Sequence, residues 1–147
     1  MVNVFDVVKY ILSKMKIVTA MKLQKLAYYC QAWSIVWDGK ALFDQEIEAW
    51  ANGPVVRRLF DAHRGQFSIS SIPLGNSNNL RPEEIETIDA VIDYYGNKSS
   101  QYLSDLTHME DPWKLARAGI SEDRRSDKKI SLESMAEYYG SLESDEE

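Results

Sequence analysis

The chain has 147 residues, of which 44% are hydrophobic, and its formal net charge at pH 7 is −6. This length and apolar content suffice for one domain with a packed core, and they exclude a disordered chain. The single cysteine excludes an internal disulfide framework and a cysteine-based zinc site, and no apolar run approaches the roughly 18 residues that a membrane-spanning helix needs.

Charge is distributed unevenly along the chain. The first 72 residues carry nine Lys and Arg against six Asp and Glu, whereas the remaining 75 carry eight against seventeen. An acidic chain is a poor candidate for sequence-independent nucleic-acid binding, which depends on neutralising phosphates with Lys and Arg. It suits a basic protein partner better, because opposite potentials raise association rates. Since the N-terminus lacks a basic leader, we expect a cytoplasmic protein with no membrane and no direct nucleic-acid partner.

The first predicted elements are two helices with clear capping signals. Asn3 precedes a helix from about residue 4 to 14, and Thr19 precedes a longer one over residues 20–38 that Gly39 ends. Apolar side chains occupy more than half the circumference of the second helix, which predicts that neighbouring elements cover it on most sides. Cys30 lies in the middle of that apolar face, where we expect a small buried side chain and not a nucleophile.

The middle of the chain predicts a small β-hairpin and a third helix. Partial alternation over residues 46–51 indicates a short strand, and the β-prone residues 67–73 are its expected partner. Asn52-Gly53-Pro54 is typical of a turn that leads directly into a helix with proline at its first position. We therefore expect this helix over about residues 54–63.

Four further helices are predicted after a polar loop at residues 74–80, each from a capping residue or a proline at its start. They begin at Pro82, at Ser99 or Ser100, at Asp111 and at Ser131, and three of them end at Gly96, near Gly119 and before Gly140. The expected fold is mainly α: a single globular domain of about six to seven helices around the central helix 20–38, with a small two-stranded β-hairpin. Residues 143–147 are expected to form an acidic flexible tail.

No pattern in the chain indicates an enzyme. His63 and His108 are the only histidines, and no pair of them has metal-ligand spacing. There is no phosphate-binding glycine loop and no nucleophile elbow. The strongest enzymatic candidate is the cluster of His108, Glu110 and Asp111, but spacing alone does not make it a site. We expect no catalytic residue, no metal and no cofactor.

Three segments follow one another at the spacings of a known family pattern. They are residues 5–12 with Lys22-Leu23-Gln24-Lys25-Leu26 and Gln31-Ala32-Trp33; Leu42-Phe43, residues 46–50, Gly53-Pro54-Val55 and Leu59-Phe60; and residues 103–108 with Asp111-Pro112-Trp113. Together they resemble the Panacea domain, also called the SocA-like or phage-associated GepA-like family, and they imply such a domain over residues 1–142. Two residues depart from the pattern: Asn52 stands where the family often has an aromatic residue, and Phe60 where it often has Tyr.

The resemblance implies a protein-binding module of bacteria or their phages. Many members are antitoxins, encoded beside a toxin that they bind and neutralise, and at least one branch delivers its toxin to an ATP-dependent protease. The expected partner is therefore a cognate toxin, with a protease as a further partner if the chain is an adaptor. A phage accessory protein that binds a host factor is the remaining alternative.

A patch near the Gly-Pro-Val motif is the predicted contact surface. Trp50, Asn52, Arg57, Arg58 and Arg64 lie close together along the chain and include the residue types that dominate protein interfaces. Gly53-Pro54-Val55 either belongs to this recognition surface or serves only the backbone geometry. The basic residues of the loop 122–129 are interleaved with acids, so their net charge is too small to predict nucleic-acid binding.

Overall fold

The computed structural model describes residues 2–145, and over that part of the chain it is mainly α, as predicted. It contains seven α-helices: α1 (Val4–Met15), α2 (Ala20–Asp38), α3 (Arg57–His63), α4 (Pro82–Tyr95), α5 (Ser100–Met109), α6 (Asp111–Ala116) and α7 (Leu132–Asp145). Four short strands form two antiparallel pairs: β1 (Val18–Thr19) with β4 (Ser68–Ile69), and β2 (Ile47–Trp50) with β3 (Gly53–Val56). Among the described residues, no helix is long and apolar enough to cross a membrane.

Helix α2 is the centre of the domain. The Thr19 side chain caps its start by accepting a hydrogen bond from the Lys22 N–H, and Gly39 ends it in the left-handed conformation at φ 71°. Every residue from position 23 to 34 is buried, because α1, α4, α5, α7 and β3 all pack against this helix. Cys30 is buried among them and its pKa is raised by burial, so it is a structural residue, as expected.

Polar side chains on α2 satisfy the backbone of the segments that cross it. Gln31 is buried, and its Oε1 atom accepts hydrogen bonds from the N–H groups of Leu42 (2.7 Å) and Phe43 (3.1 Å), while its Nε2 atom donates to the Phe43 carbonyl at 2.8 Å. An extended segment buried in this way needs such partners, since unpaired backbone groups away from water are costly.

The pairing of the hairpin differs from the prediction. Strand β2 pairs with β3, in a register that places Ala49 opposite Pro54, and not with residues 67–73. Those residues contribute β4, which pairs with β1. The predicted helix start at Pro54 is also wrong, because α3 begins at Arg57. Proline has no N–H to donate, but this position of β3 does not need one. The opposite residue, Ala49, directs its own N–H away from β3 to the Lys128 carbonyl at 2.8 Å, so Ala49 and Pro54 form a pair without ladder hydrogen bonds and none is lost.

The outer edge of β2 is covered by the chain that precedes α7. The Ile130 N–H donates to the Ile47 carbonyl at 2.8 Å, on the same side as the bond between Ala49 and Lys128. A strand edge paired in this way is closed to other chains.

The N-cap of α6 and the end of α7 differ from the prediction, and α6 ends at Ala116 and not near Gly119. Glu110, not Asp111, is the N-cap of α6, and its backbone is extended at φ −99° and ψ 143°. Helix α7 continues through Gly140, which does not adopt a positive φ, the conformation that ends a helix at glycine. Residues 143–145 of the predicted acidic tail belong to α7, and residues 146 and 147 lie outside the described part of the chain.

Candidate partner-binding cleft

Helix α2 and the β2–β3 hairpin are joined by two side chains of the first family-like segment, which bind the backbone of β3. Gln24 binds both backbone groups of Val56: its Oε1 atom accepts from the N–H at 2.8 Å and its Nε2 atom donates to the carbonyl at 3.3 Å. The neighbouring Lys25 donates from Nζ to the Pro54 carbonyl at 3.3 Å. These bonds attach β3 to the central helix in one register, which explains why the two motifs occur together.

The third family-like segment holds the turn of the hairpin from the other side. Three of its side chains reach consecutive backbone carbonyls, those of residues 50–52. Trp113 Nε1 donates to the Trp50 carbonyl at 2.8 Å, His108 Nε2 lies 2.7 Å from the Ala51 carbonyl, and Ser104 Oγ donates to the Asn52 carbonyl at 2.6 Å. Trp113 is buried and anchors α6. The turn is therefore held at a fixed position on the helices.

Gly53 serves the backbone and the packing of this junction. Its φ is 122°, which side chains of L residues rarely adopt, and a Cβ atom there would lie 2.6 Å from Lys25 Cε and 2.9 Å from Thr107 Oγ1. Gly53, Pro54 and Val55 are all buried. Of the two interpretations of Gly-Pro-Val, the structure supports the one in which the motif sets the backbone geometry.

A cleft of about 700 Å³ opens beside the hairpin. Its walls come from the start of α2, the turn of the hairpin, helix α3 and residues 125–127. Four of the five predicted contact residues line it, namely Trp50, Asn52, Arg57 and Arg64. The fifth, Arg58, is exposed on α3 but is not part of the lining. That any of the five contacts a partner stays a prediction.

Two aromatic rings in contact are flanked by two guanidinium groups in the lining of the cleft, and we name this set the Arg–aromatic ladder: Arg57, Trp50, Phe60 and Arg64. The Arg57 Cζ atom lies 5.4 Å from the Trp50 ring centroid, and the Trp50 and Phe60 rings meet edge-on with centroids 4.9 Å apart. The Arg64 Cζ atom lies 5.9 Å from the Phe60 centroid. Cation–π and edge-to-face contacts at these distances order side chains that are otherwise exposed.

Glu48 orients the first two members of the ladder from beneath. It is buried, and its Oε1 atom accepts from Trp50 Nε1 at 2.8 Å and from Arg57 at 3.2 Å, while Oε2 accepts from Lys129 Nζ at 3.2 Å. Burial raises the pKa of Glu48, but the hydrogen bonds from Trp50 and Lys129 and the charges of Lys129 and Arg57 outweigh it, so its pKa lies below the ordinary value. The carboxylate is therefore charged at neutral pH and holds the indole in place.

The cleft is basic although the chain is acidic. Its lining includes Lys25, Arg57, Arg64 and Arg125, against the single carboxylate of Asp127. Lys25 is only 1% exposed, and burial lowers its pKa to about 7. No described carboxylate lies within ion-pair distance of it. The local charge is thus opposite in sign to the net charge of −6.

Sequence reasoning missed Lys25 and Arg125 as cleft residues. Lys25 stood inside a family-like segment, which was the available signal, but its place on a helix gave no reason to expect burial. Arg125 was counted only in the net charge of its loop. Arg117 was missed as well: it is buried and donates to the Ala49 carbonyl at 2.8 Å and to the Ser121 and Arg124 carbonyls at 2.8 and 2.5 Å. It thereby attaches the loop that carries Arg125 to strand β2.

The strongest enzymatic candidate in the sequence was the cluster of His108, Glu110 and Asp111. In the structure, each of the three makes different contacts. Glu110 is buried and accepts hydrogen bonds from the hydroxyls of Tyr29 at 2.7 Å and Tyr139 at 2.8 Å; burial raises its pKa to about 7 despite these two bonds. His108 lies between two carbonyls, and Asp111 is exposed, 3.9 Å from Lys114 Nζ. Within residues 2–145, no group of three His, Cys, Asp or Glu side chains is placed to hold a metal ion.

The family model described as "Antitoxin SocA-like, Panacea domain" matches residues 23–114, more than half of the chain. The matched range begins in α2 and ends in α6, so it contains the junction between α2, the hairpin and the third family-like segment, whereas residues 5–12 precede it. No curated protein and no solved structure matches the chain.

Proposed function

This chain belongs to the SocA-like, Panacea-domain family, and from that membership we propose that it is the antitoxin of a bacterial or prophage toxin–antitoxin pair. It neutralises its cognate toxin by direct protein–protein binding, and the Arg–aromatic ladder with Asn52 forms the centre of the contact. The observation that carries the proposal is that the family-like segments converge on one rigid hairpin, whose open side is this cleft.

The composition of the ladder supports a role in binding. Trp and Arg are enriched among the residues that dominate interface energetics, and truncation of one such anchor typically costs about 2 kcal/mol or more. The ladder side chains are ordered before any partner arrives, through Glu48 and through contacts with one another. Less side-chain entropy is therefore lost on binding, which raises affinity.

The proposed mechanism is steric masking of the toxin's active surface, with no catalytic step by the antitoxin. Two titratable groups at the cleft, Glu48 and His63, are held by structural bonds. Glu48 binds Trp50, Arg57 and Lys129, and His63, which is buried, lies 2.9 Å from Gln24. Burial lowers the pKa of His63, so this ring is neutral at pH 7. These contacts support a binding surface, not an active site.

A growth-rescue assay tests the proposal. The gene next to this one is expressed in a bacterial host with and without the chain, and growth arrest that the wild-type chain relieves, together with co-purification of the two products, is the expected result. Trp50→Ala should weaken rescue, whereas Trp37→Ala is the matched control, since Trp37 is 42% exposed at the far end of α2 and does not line the cleft. A neighbour that is harmless, or toxic but not rescued, would overturn the antitoxin assignment.

The half-life of the toxin separates masking from proteolytic delivery, the other mode of action in this family. If the chain masks the toxin, the toxin accumulates in a stable, inactive complex. If it is an adaptor, the half-life of the toxin falls when the antitoxin is expressed and recovers when ATP-dependent proteases are deleted.

A further inference from the structure

We propose that the cleft accepts an acidic segment of the partner, with a side-chain carboxylate bound by Arg64 of the Arg–aromatic ladder and by Arg125, which both line the cleft. This rests on the proposed function, because the segment is taken to belong to the cognate toxin. It defines the chemistry of the partner and assigns a role to Arg125, which no sequence pattern indicated.

The first argument is the surplus of positive charge in the lining. Arg57 is already paired with Glu48 at 3.2 Å. Arg64 and Arg125 are exposed, and neither lies within 4.0 Å of a carboxylate oxygen in the described part of the chain. Guanidinium groups bind carboxylates through two parallel hydrogen bonds, which gives both strength and orientation. The cleft therefore offers two guanidinium groups that have no carboxylate partner in the described part of the chain.

The second argument is the buried ammonium group of Lys25, which belongs to the lining of the cleft. Lys25 is buried under the hairpin with one carbonyl as its hydrogen-bond acceptor and no described counter-ion. With a pKa of about 7, Lys25 is about half protonated at neutral pH. A positive charge in a low-dielectric interior is screened less than one at the surface, so the protonated fraction contributes to the potential inside the cleft. An incoming carboxylate would compensate it from the solvent side.

The third argument is the apolar border at the start of α2. Met21 lines the cleft and is 36% exposed, and Phe67, which follows the lining residue Gln66, is 80% exposed. An exposed phenylalanine and methionine beside a basic cleft suit a segment in which an apolar residue accompanies the acid. Exposed aromatic surface next to a charged groove is typical of protein interaction sites.

A protein segment fits these observations better than a nucleic acid does. A strand of RNA or DNA brings one negative charge per nucleotide, and the chain as a whole carries −6. The volume of about 700 Å³ is large enough for a few side chains. Asp127 in the lining would also repel successive phosphates.

Charge reversal in the complex tests the proposal. Arg64→Glu and Arg125→Glu should each weaken binding of the purified neighbouring-gene product at least about tenfold in titration calorimetry, since each replaces an attraction with a repulsion. Arg124→Glu is the matched control: Arg124 is the exposed neighbour of Arg125, but it does not line the cleft. Circular dichroism verifies that the variants are folded. Binding that is unchanged in both cleft variants, while the wild-type chain rescues growth, would overturn this inference and leave the antitoxin function intact.

A peptide pair tests the cleft without any toxin. Acetyl-Glu-Phe-Asp-amide and its neutral counterpart acetyl-Gln-Phe-Asn-amide are titrated into the isotope-labelled chain, and saturable shifts of the amide resonances around Arg64 and Arg125 are expected for the acidic peptide alone. If the wild-type chain fails to rescue growth, the proposed function is wrong. The titration then still tests whether the cleft binds an acidic segment. Equal shifts with both peptides, no shift up to about 10 mM, or displacement of the acidic peptide by an equal concentration of a single-stranded RNA hexamer would overturn the assignment.

Discussion

Replacement of Lys25 by methionine should stabilise the protein at neutral pH and destabilise it at pH 10. Lys25 is 1% exposed, and its Nζ atom donates to the Pro54 carbonyl at 3.3 Å. Burial lowers the pKa of its ammonium group from 10.5 to about 7. Methionine has a similar length and flexibility without the charge, so the substitution removes the buried ionisable group and leaves most of the packing.

The sign and size of this change in the free energy of unfolding follow from the linkage between protonation of Lys25 and folding. A group whose pKa is depressed in the folded state contributes its full stability above the unfolded pKa of 10.5, and this contribution is lost as the pH falls through about 7. With about 1.4 kcal/mol for each pH unit, the loss amounts to about 4 kcal/mol at pH 7 and about 1 kcal/mol at pH 10. The variant leaves the Pro54 carbonyl unpaired, which costs about 2 kcal/mol at every pH. The Lys25→Met protein should therefore be about 2 kcal/mol more stable at pH 7 and about 1 kcal/mol less stable at pH 10.

Urea unfolding at pH 7, 8, 9 and 10, followed by tryptophan fluorescence, measures this difference. Lys128→Met, at an exposed lysine, is the control and should change the free energy of unfolding by less than about 0.5 kcal/mol throughout. A difference between Lys25→Met and wild type that is the same at all four pH values would refute the reasoning. If the charge beneath the cleft also aids binding, the stabilised variant should bind the toxin more weakly, a trade-off common at functional sites.

Three further substitutions test the junction and the buried tyrosine cluster. Gly53→Ala should cost about 3 kcal/mol, and Gly119→Ala, also at positive φ but with nothing within 4 Å of its Cβ, only about 1 kcal/mol; equal losses in thermal unfolding would show that the contact with Lys25 is unimportant. Gln24→Leu leaves both backbone groups of Val56 unpaired and should cost about 2–4 kcal/mol in urea unfolding, and a loss below 1 kcal/mol would contradict this role. The pKa of Glu110 is raised to about 7 in the folded state, so its contribution is complete below 4.5 and falls by about 3 kcal/mol as the pH rises through 7. Glu110→Gln should therefore gain stability relative to wild type between pH 4.5 and 7.5, and a pH-independent difference would count against it.

The helices could be predicted because their signals are local. Asn3 and Thr19 accept hydrogen bonds from the first turns of α1 and α2, and Gly39 ends α2 in the left-handed conformation. These interactions involve residues only a few positions apart, so they act in any context. The central position of α2 could also be predicted from the sequence, since neighbouring elements have to cover a helix that is apolar around most of its circumference.

The hairpin could not be predicted in the same way, because its register depends on distant residues. Pro54 and Val55 are compatible with a helix start by local rules, yet β3 forms because Gln24 binds both backbone groups of Val56 and because Ala49 donates elsewhere. Strand preferences vary with such surroundings far more than helix preferences do. The error in the pairing of residues 67–73 has the same origin.

The amino-acid sequence by itself determined the helical class of this protein and its family, and it predicted a contact patch of which four residues line the cleft. Only the tertiary structure decided that Lys25 is buried with no counter-ion among residues 2–145 and that Arg125 lies in the same cleft as Arg64. The reason is physical: burial and local potential depend on groups brought together from α2, α3 and the loop before α7, and no spacing along the chain records those distances.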